Sequence, residues 1–404
     1  MDTSSRPKRY ATISSEIEAH SQARRHPAEE AAIARFACLP VAAQMQLARE
    51  IVTTRAAELC LAYRNLIMVT AGLRSRLGRN GRQEVHDETC ILLVVKRKWR
   101  SSIPEARGQM LPRHLLTFGD VDGQRVLLAI PTDVQPARWF AGAVARGASA
   151  INVEDPKHRA LGTMTCGVRL YGTKSPDVMA LSALHVLSPF PVINEIAPGA
   201  GSSTRSIGAG AKIGTSSRWG GVLVRNGVSF DAQLATVTDI KWRPMAFAGL
   251  SLSAARPYVA DRAMFDTMTT TRRFQILAPS NHPEHLDSPR SPMIAQFVAY
   301  IHDELPIDYR ARTPAGIATV GIRHRELLKL RVMQDCPPPE DGDSGSAVVT
   351  WWPDGSMTLV GMFIASPDDE TMARVAYVLP AWQLFNLDNW DALPHGTTRM
   401  VPTF

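Results

Sequence analysis

From Val41 to about Leu77 the apolar positions Ala48, Val52, Ala56, Leu59, Tyr63 and Leu66 recur at three- and four-residue spacing, the pattern of a helix with one packing face. A shorter helix is predicted before it: Pro27 suits a first helical position, Glu29 and Glu30 suit its positive end, and Pro40 stops it. The run GLRSRLGRNGR, with Gly78 and Gly81, closes the pattern. Residues 26–82 are therefore expected to form a helical arm or hairpin. Its apolar stripe would dock on its own domain or on a regulatory protein partner. Residues 1–25 read as a polar, mobile tail.

The pattern then changes twice. CILLVVKRKW is a buried-strand candidate, and VLLAI a second strand after a turn at Gly119–Gly123, so 83–149 is predicted as a small α/β module. From about Ala150 the apolar runs become short and β-like, separated by Gly, Ser, Pro and Asn: GTMTCGVRLYG, VMALSALHVL, VSFDAQLATV, MIAQFVAYI, SAVVTWW, TLVGMFI and RVAYVLP among them. Many short strands at this spacing point to a closed or sandwiched antiparallel structure over 150–395, followed by a tail at 396–404. The chain is thus mostly β, preceded by a helical arm and an α/β module.

Composition narrows the class of protein. Hydrophobic residues are 45% and charged residues 21% of 404, ordinary for a globular chain with room for a full core. The net charge of +7 is spread over distant spots (RRHP, KRKWR, RHRELLKLR), so a solvated basic surface is favoured over a specific nucleic-acid site. Five cysteines without a CxxC pair give neither a disulfide framework nor a zinc site, which fits a reducing compartment. No segment has the length and apolarity of a membrane span, and the N-terminus lacks a signal-peptide core, so a cytoplasmic protein without membrane attachment is expected. His282, His285 and His302 lie in polar, Pro-rich stretches without a third ligand at a recognisable spacing. No metal and no cofactor is expected.

Three positions carry candidate chemistry. His185 ends the buried run VMALSALHV, Asp231 interrupts the apolar run VSFDAQLATV, and Ser344 lies in GDSGSAVV. The first two put an ionisable group in a hydrophobic setting, where a charge without a partner is costly. If the three converge, His185 can take the proton of Ser344 as general base, and Asp231 can hold the imidazole tautomer. Gly342 and Gly345 permit the backbone conformations that would turn the N–H groups of Gly342 and Ser344 toward an oxyanion.

These residues resemble the trypsin/chymotrypsin-like serine peptidases. The likeness rests on ALHV around His185, where the family has a TAAHC-type sequence, on FDAQLA around Asp231, and on GDSGS around Ser344, where the family has GDSGG. The order His, Asp, Ser is also the family's. The resemblance covers about 155–395. It implies a double antiparallel β-barrel and an endopeptidase acting on protein or peptide substrates. It further implies that the strand Phe363, Ile364, Ala365 and Ser366 binds substrate. Val186 replaces the family's cysteine beside the histidine, and Ser346 its second glycine. Asp343 would either pair with an amino terminus freed by cleavage or cap its own turn. Two other readings stand beside this one: a catalytically silent peptide-binding module of the same fold, and a basic nucleic-acid-associated scaffold.

Overall fold

The structure is a computed structural model of the chain. It describes residues 27–77, 83–98, 109–137, 143–145, 163–173, 179–188, 190–195, 206–207, 214–225, 227–237, 258–278, 291–302, 304–367 and 374–403. Two compact units divide it, one of residues 1–141 with 298–303, the other of 142–297 with 304–404. The tail 1–25, the histidines His282 and His285, and the end of the predicted module (146–149) lie outside the described residues.

The first unit is a sheet covered by two helices. Helix α1 (Pro27–Cys38) and helix α2 (Val41–Ala62) are followed by strands β1 (Leu66–Leu77), β2 (Gln83–Val95), β3 (His114–Val121) and β4 (Gln124–Pro136). β1 and β2 pair antiparallel, β2 and β4 parallel, and β3 and β4 form a hairpin. The two-residue turn of that hairpin is Asp122–Gly123, both at positive φ, as the twist of a tight hairpin demands. On the other edge of β1, Gly72 faces Ala299.

Here the helical expectation ends early. The recurrence through Leu66 continues the α2 stripe by coincidence, while Ile67, Val69 and Thr70 supply strand preference. The wholly buried run Cys90–Val94 of β2 gives β1 a partner. Residues 66–77 are therefore strand, and the described parts of 26–82 and 83–137 fall in one unit, while Ala143–Ala145 falls in the other. The described part of 83–137 contains no α-helix. The stripe expected to meet its own domain or a partner is spent inside the unit: Met45, Ala48, Ile51, Val52 and Leu59 of α2 are buried, and α2 lies on β1 and β2.

The second unit opens with β5 (Ala143–Ala145), then β6 (Cys166–Tyr171), β7 (Met179–Ser182), the single turn α3 (Leu184–Leu187), β8 (Ser206–Ile207), β9 (Gly214–Gly220) and β10 (Gln233–Val237). Helix α4 (Arg262–Met268) leads to β11 (Phe274–Leu277), β12 (Met293–Ile301, of which the residues from Val298 on belong to the first unit), β13 (Leu305–Thr313), β14 (Gly316–His324) and β15 (Leu327–Val332). The chain ends with β16 (Ala347–Trp351), β17 (Met357–Ser366), β18 (Val375–Pro380), the turn α5 (Ala381–Leu384) and β19 (Arg399–Thr403).

These strands build two sheets. One is six-stranded, in the order β19-β6-β7-β10-β9-β8, and a bridge from Gly220 to Ala392 draws the end of β9 onto the segment leading to β19. The other contains a closed antiparallel barrel, β11-β12-β15-β18-β17-β16 and back to β11, with the β13–β14 hairpin and β5 alongside. Phe265 fixes α4 to the barrel by stacking on Phe274 at 5.4 Å and meeting Phe297 edge-on at 5.3 Å. Within the range 396–404 the described residues include a strand. Arg399–Thr403 pairs along Gly167–Tyr171 as an edge strand, a place that tolerates Pro402.

No described helix is long and apolar enough to cross a membrane. None of the five cysteines is in a disulfide. In the first unit, a Cβ on Gly72 would come within 2.8 Å of Leu92 Cδ1 and 2.9 Å of Ala299 Cα, in addition to meeting the Val298 carbonyl. Gly72→Ala is therefore expected to lower stability by about 1–3 kcal/mol through overpacking, measured by chemical denaturation.

Candidate active site

His185 is placed by a carboxylate that reads both its backbone and its ring. α3 begins directly after β7, and its first turn has no side-chain cap of its own. Asp231, just ahead of β10, supplies one: Oδ1 accepts from the His185 backbone N–H at 3.2 Å, and Oδ2 meets ring Nδ1 at 2.7 Å. β7 and β10 are hydrogen-bonded neighbours, with Ser182 opposite Gln233, which brings the two residues together. An ionised carboxylate only accepts, so the ring proton is assigned to Nδ1 and Nε2 is left as the acceptor. Nε2 is buried and makes no hydrogen bond among the described residues.

Asp231 is wholly buried, a costly position for a charge. Burial by itself pushes its carboxyl up. The His185 ring, His324 and the Tyr309 hydroxyl together outweigh that push and hold it below its ordinary value. Tyr309 donates to Oδ2 at 2.9 Å, and its oxygen lies 2.9 Å from His324 Nε2. A hydroxyl with its one proton committed to Asp231 must accept here, so His324 carries a proton on Nε2. Burial, then the Asp231 charge, raises the Tyr309 phenol well above its ordinary value, so it stays a donor. Burial pushes His324 down to about 4 against the pull of Asp231, so the ring is neutral near pH 7.

Tyr309 and His324 were not among the residues singled out from the sequence. Both sit on the inward face of the β13–β14 hairpin, where Leu305, Ile307, Tyr309 and Ala311 alternate with exposed residues. The available signal was a histidine and a tyrosine at the buried parity of paired strands.

Ser344 belongs to a loop in which the four carbonyls from Gly342 to Gly345 are all hydrogen-bonded. The Gly342 carbonyl accepts from Thr163 Oγ1 at 2.9 Å, that of Asp343 from Ser346 N–H at 3.0 Å, that of Ser344 from Thr163 N–H at 2.9 Å, and that of Gly345 from Thr165 Oγ1 at 2.7 Å. The N–H groups of Gly342 and Ser344 have no such partner among the described residues. Gly342 at φ 98° and Gly345 at φ 90° occupy the left-handed region that glycine tolerates. A Cβ at Gly345 would collide with the Thr163 carbonyl and Ser182 Oγ. Asp343 Oδ2 accepts from the Glu340 N–H at 2.7 Å, capping its own loop.

The Ser344 hydroxyl does not bond His185. It is wholly buried and donates to the Ile364 carbonyl at 2.9 Å. Phe363, Ile364, Ala365 and Ser366 are buried residues of β17, next to this loop: Gly345 N–H donates to the Phe363 carbonyl, and Phe363 N–H to that of Ser346. The structure thus brings His185, Asp231, Tyr309 and His324 into one hydrogen-bonded chain, and Gly342, Ser344 and Ile364 into one loop contact.

No family model and no curated protein matches the chain. Among solved structures, a crystal structure of the Murine Norovirus NS6 protease, in an inactive mutant form with a C-terminal extension, is similar at 13% identity and a TM-score of 0.25. The match covers 53% of this chain and 86% of that one. At that score the likeness carries no argument about this chain.

The neutral, buried His324 makes stability depend on pH. Its folded value near 4 lies below the ordinary 6.5, so between these values the unfolded chain binds a proton that the folded one refuses. Stability is expected to be fully present above pH 6.5 and to fall by up to about 3 kcal/mol as pH drops to 4. Asp231, depressed below 3.8, adds a loss only at still lower pH. Denaturation of His324→Gln across pH 4–7 should show a shallower slope than wild type; equal slopes would remove His324 from the account.

Proposed function

We propose that the protein is a serine endopeptidase of the trypsin/chymotrypsin type, acting on peptide bonds by acyl transfer through Ser344. The observation that carries this reading is the His185 ring, held through Nδ1 by Asp231 with Nε2 left as a free acceptor, in the same compact unit as a serine loop with two unengaged N–H groups. Ser344 is the nucleophile and His185 the base that takes its proton and delivers it to the leaving amine. Asp231 fixes the tautomer and stabilises the imidazolium, and the N–H groups of Gly342 and Ser344 receive the developing oxyanion. Tyr309 is a positioning residue, holding Asp231 Oδ2, and His324 in turn holds the Tyr309 hydroxyl.

In the resting arrangement Ser344 donates its hydroxyl hydrogen bond to the Ile364 carbonyl, so attack requires that bond to be exchanged for one to His185 Nε2. A substrate N–H arriving at the Ile364 carbonyl would compete for it and release the hydroxyl. The same Ser344–Ile364 bond is what a silent peptide-binding module would keep permanently, and this is the second reading.

Labelling with a fluorophosphonate probe separates them. Wild type should be labelled at Ser344, with labelling lost in Ser344→Ala and His185→Ala at unchanged circular dichroism; an unlabelled wild type would favour the silent module. Ser344→Ala should lose at least about 10⁴-fold in kcat/KM on an unstructured protein substrate. Tyr309→Phe removes one hydrogen bond to a charged group, which corresponds to a loss of about 10- to 100-fold in kcat at unchanged KM. A change confined to KM would show that Tyr309 acts on binding instead.

A further inference from the structure

Strand β5 stands apart from the other strands of its unit. It is three residues long, and it is wedged between two strands: parallel to β13, with Ala143 opposite Ile307 and Val144 opposite Asp308, and antiparallel to β17, with Val144 opposite Ser366 and Ala145 opposite Ala365. The next carbonyl along β17 in the direction β5 travels is that of Ile364, which holds the Ser344 hydroxyl. Ile364 falls at a bulge in the β17–β18 ladder, between Phe363 opposite Val378 and Ala365 opposite Tyr377. The edge of β17 therefore leads an added strand past the proposed nucleophile, and β13, which shares that strand, carries Tyr309 one residue beyond the pairing with β5.

An extended peptide binds a sheet edge through backbone hydrogen bonds, whatever its side chains. The edge of β17 at Ala365–Ser366 offers this, and in the structure the offer is taken by the chain itself. We propose that residues Ala143–Ala145 act as a built-in competitor, occupying the strand position that a peptide substrate must take beside Ser344, so that the site acts on peptides in trans only after β5 leaves. The proposal rests on the acyl-transfer reading and adds its regulation. It fits the burial of Ser344 and of Phe363–Ser366, and the resting bond from Ser344 to Ile364, which no incoming N–H displaces while the strand position beyond it is filled.

A three-residue strand with neighbours on both edges points each of its N–H groups to one side or the other, so proline within it removes a donor and loosens it. The test compares full-length wild type with Val144→Pro and Ala145→Pro, reading hydrolysis of a fluorogenic unstructured protein substrate, fluorophosphonate labelling and intact mass. The expected result is labelling of wild type and both variants at Ser344, at least tenfold faster hydrolysis by the variants, and a single intact mass for wild type. A synthetic peptide of residues 140–149, added to the variants, should restore inhibition, and the same peptide with proline at position 144 should not.

Labelled variants that hydrolyse no faster than wild type, or a variant indifferent to the added peptide, would overturn the proposal while leaving the acyl-transfer reading intact. A wild type that cuts itself beside β5 would also overturn it, because the strand would then be a substrate and not a brake. Absence of labelling in wild type and in both variants would sink the underlying reading, and this one with it.

Discussion

A carboxylate with no exposure to water can stay ionised only if donors replace the water it has lost. Around Asp231 these are the His185 backbone N–H, the His185 Nδ1–H and the Tyr309 hydroxyl. Each donor ties a different piece of chain to the same two oxygens: the turn after β7 by its backbone, the imidazole by its ring, and the β13–β14 hairpin by its tyrosine. Removing any one leaves part of a buried charge unsatisfied, at a cost of a few kcal/mol. The network therefore joins strands of the six-stranded sheet to the hairpin beside the barrel, and it leaves His185 Nε2 without a hydrogen bond among the described residues.

The serine loop shows the complementary logic. Four successive carbonyls, Gly342 to Gly345, are hydrogen-bonded, three of them by Thr163 and Thr165 and that of Asp343 by Ser346 within the loop, and two glycines adopt left-handed conformations. The N–H groups of Gly342 and Ser344 are left without a backbone partner among the described residues. The one residue that departs from a poised arrangement is Ser344 itself, whose hydroxyl is turned to Ile364 in a bulge of β17. That bulge places a carbonyl outside the regular ladder, where a side chain or an added strand can reach it.

Much of this was legible in the residues. The short β runs named after Ala150 each contain a strand, although Leu184–Leu187 at the end of one is a helical turn, and His185, Asp231 and Ser344 lie where apolar runs meet turns, because a charge or hydroxyl inside a strand-forming stretch stands out against period-two burial. What misled was local periodicity without its partner. The stripe through Tyr63 and Leu66 reads as helix in isolation, yet Leu66–Leu77 is a strand because the buried run of β2 pairs with it. Arg399–Thr403 reads as a tail for the same reason: its partner β6 lies more than two hundred residues earlier.

The sequence by itself determined the type of most elements, the candidate chemical groups and the glycines that the serine loop needs, since these follow from side-chain chemistry and short-range backbone sterics. Tertiary structure alone decided which groups meet. Tyr309 and His324 look like ordinary inward residues of two strands until the hairpin is set against Asp231. Ser344 looks free to act until Ile364 is seen to hold it. The three residues of β5 carry no signal in their composition, and their importance lies wholly in the sheet edges they join. Pairing over long sequence separation is set by the summed burial and hydrogen bonding of the whole core, so no local stretch of residues records it.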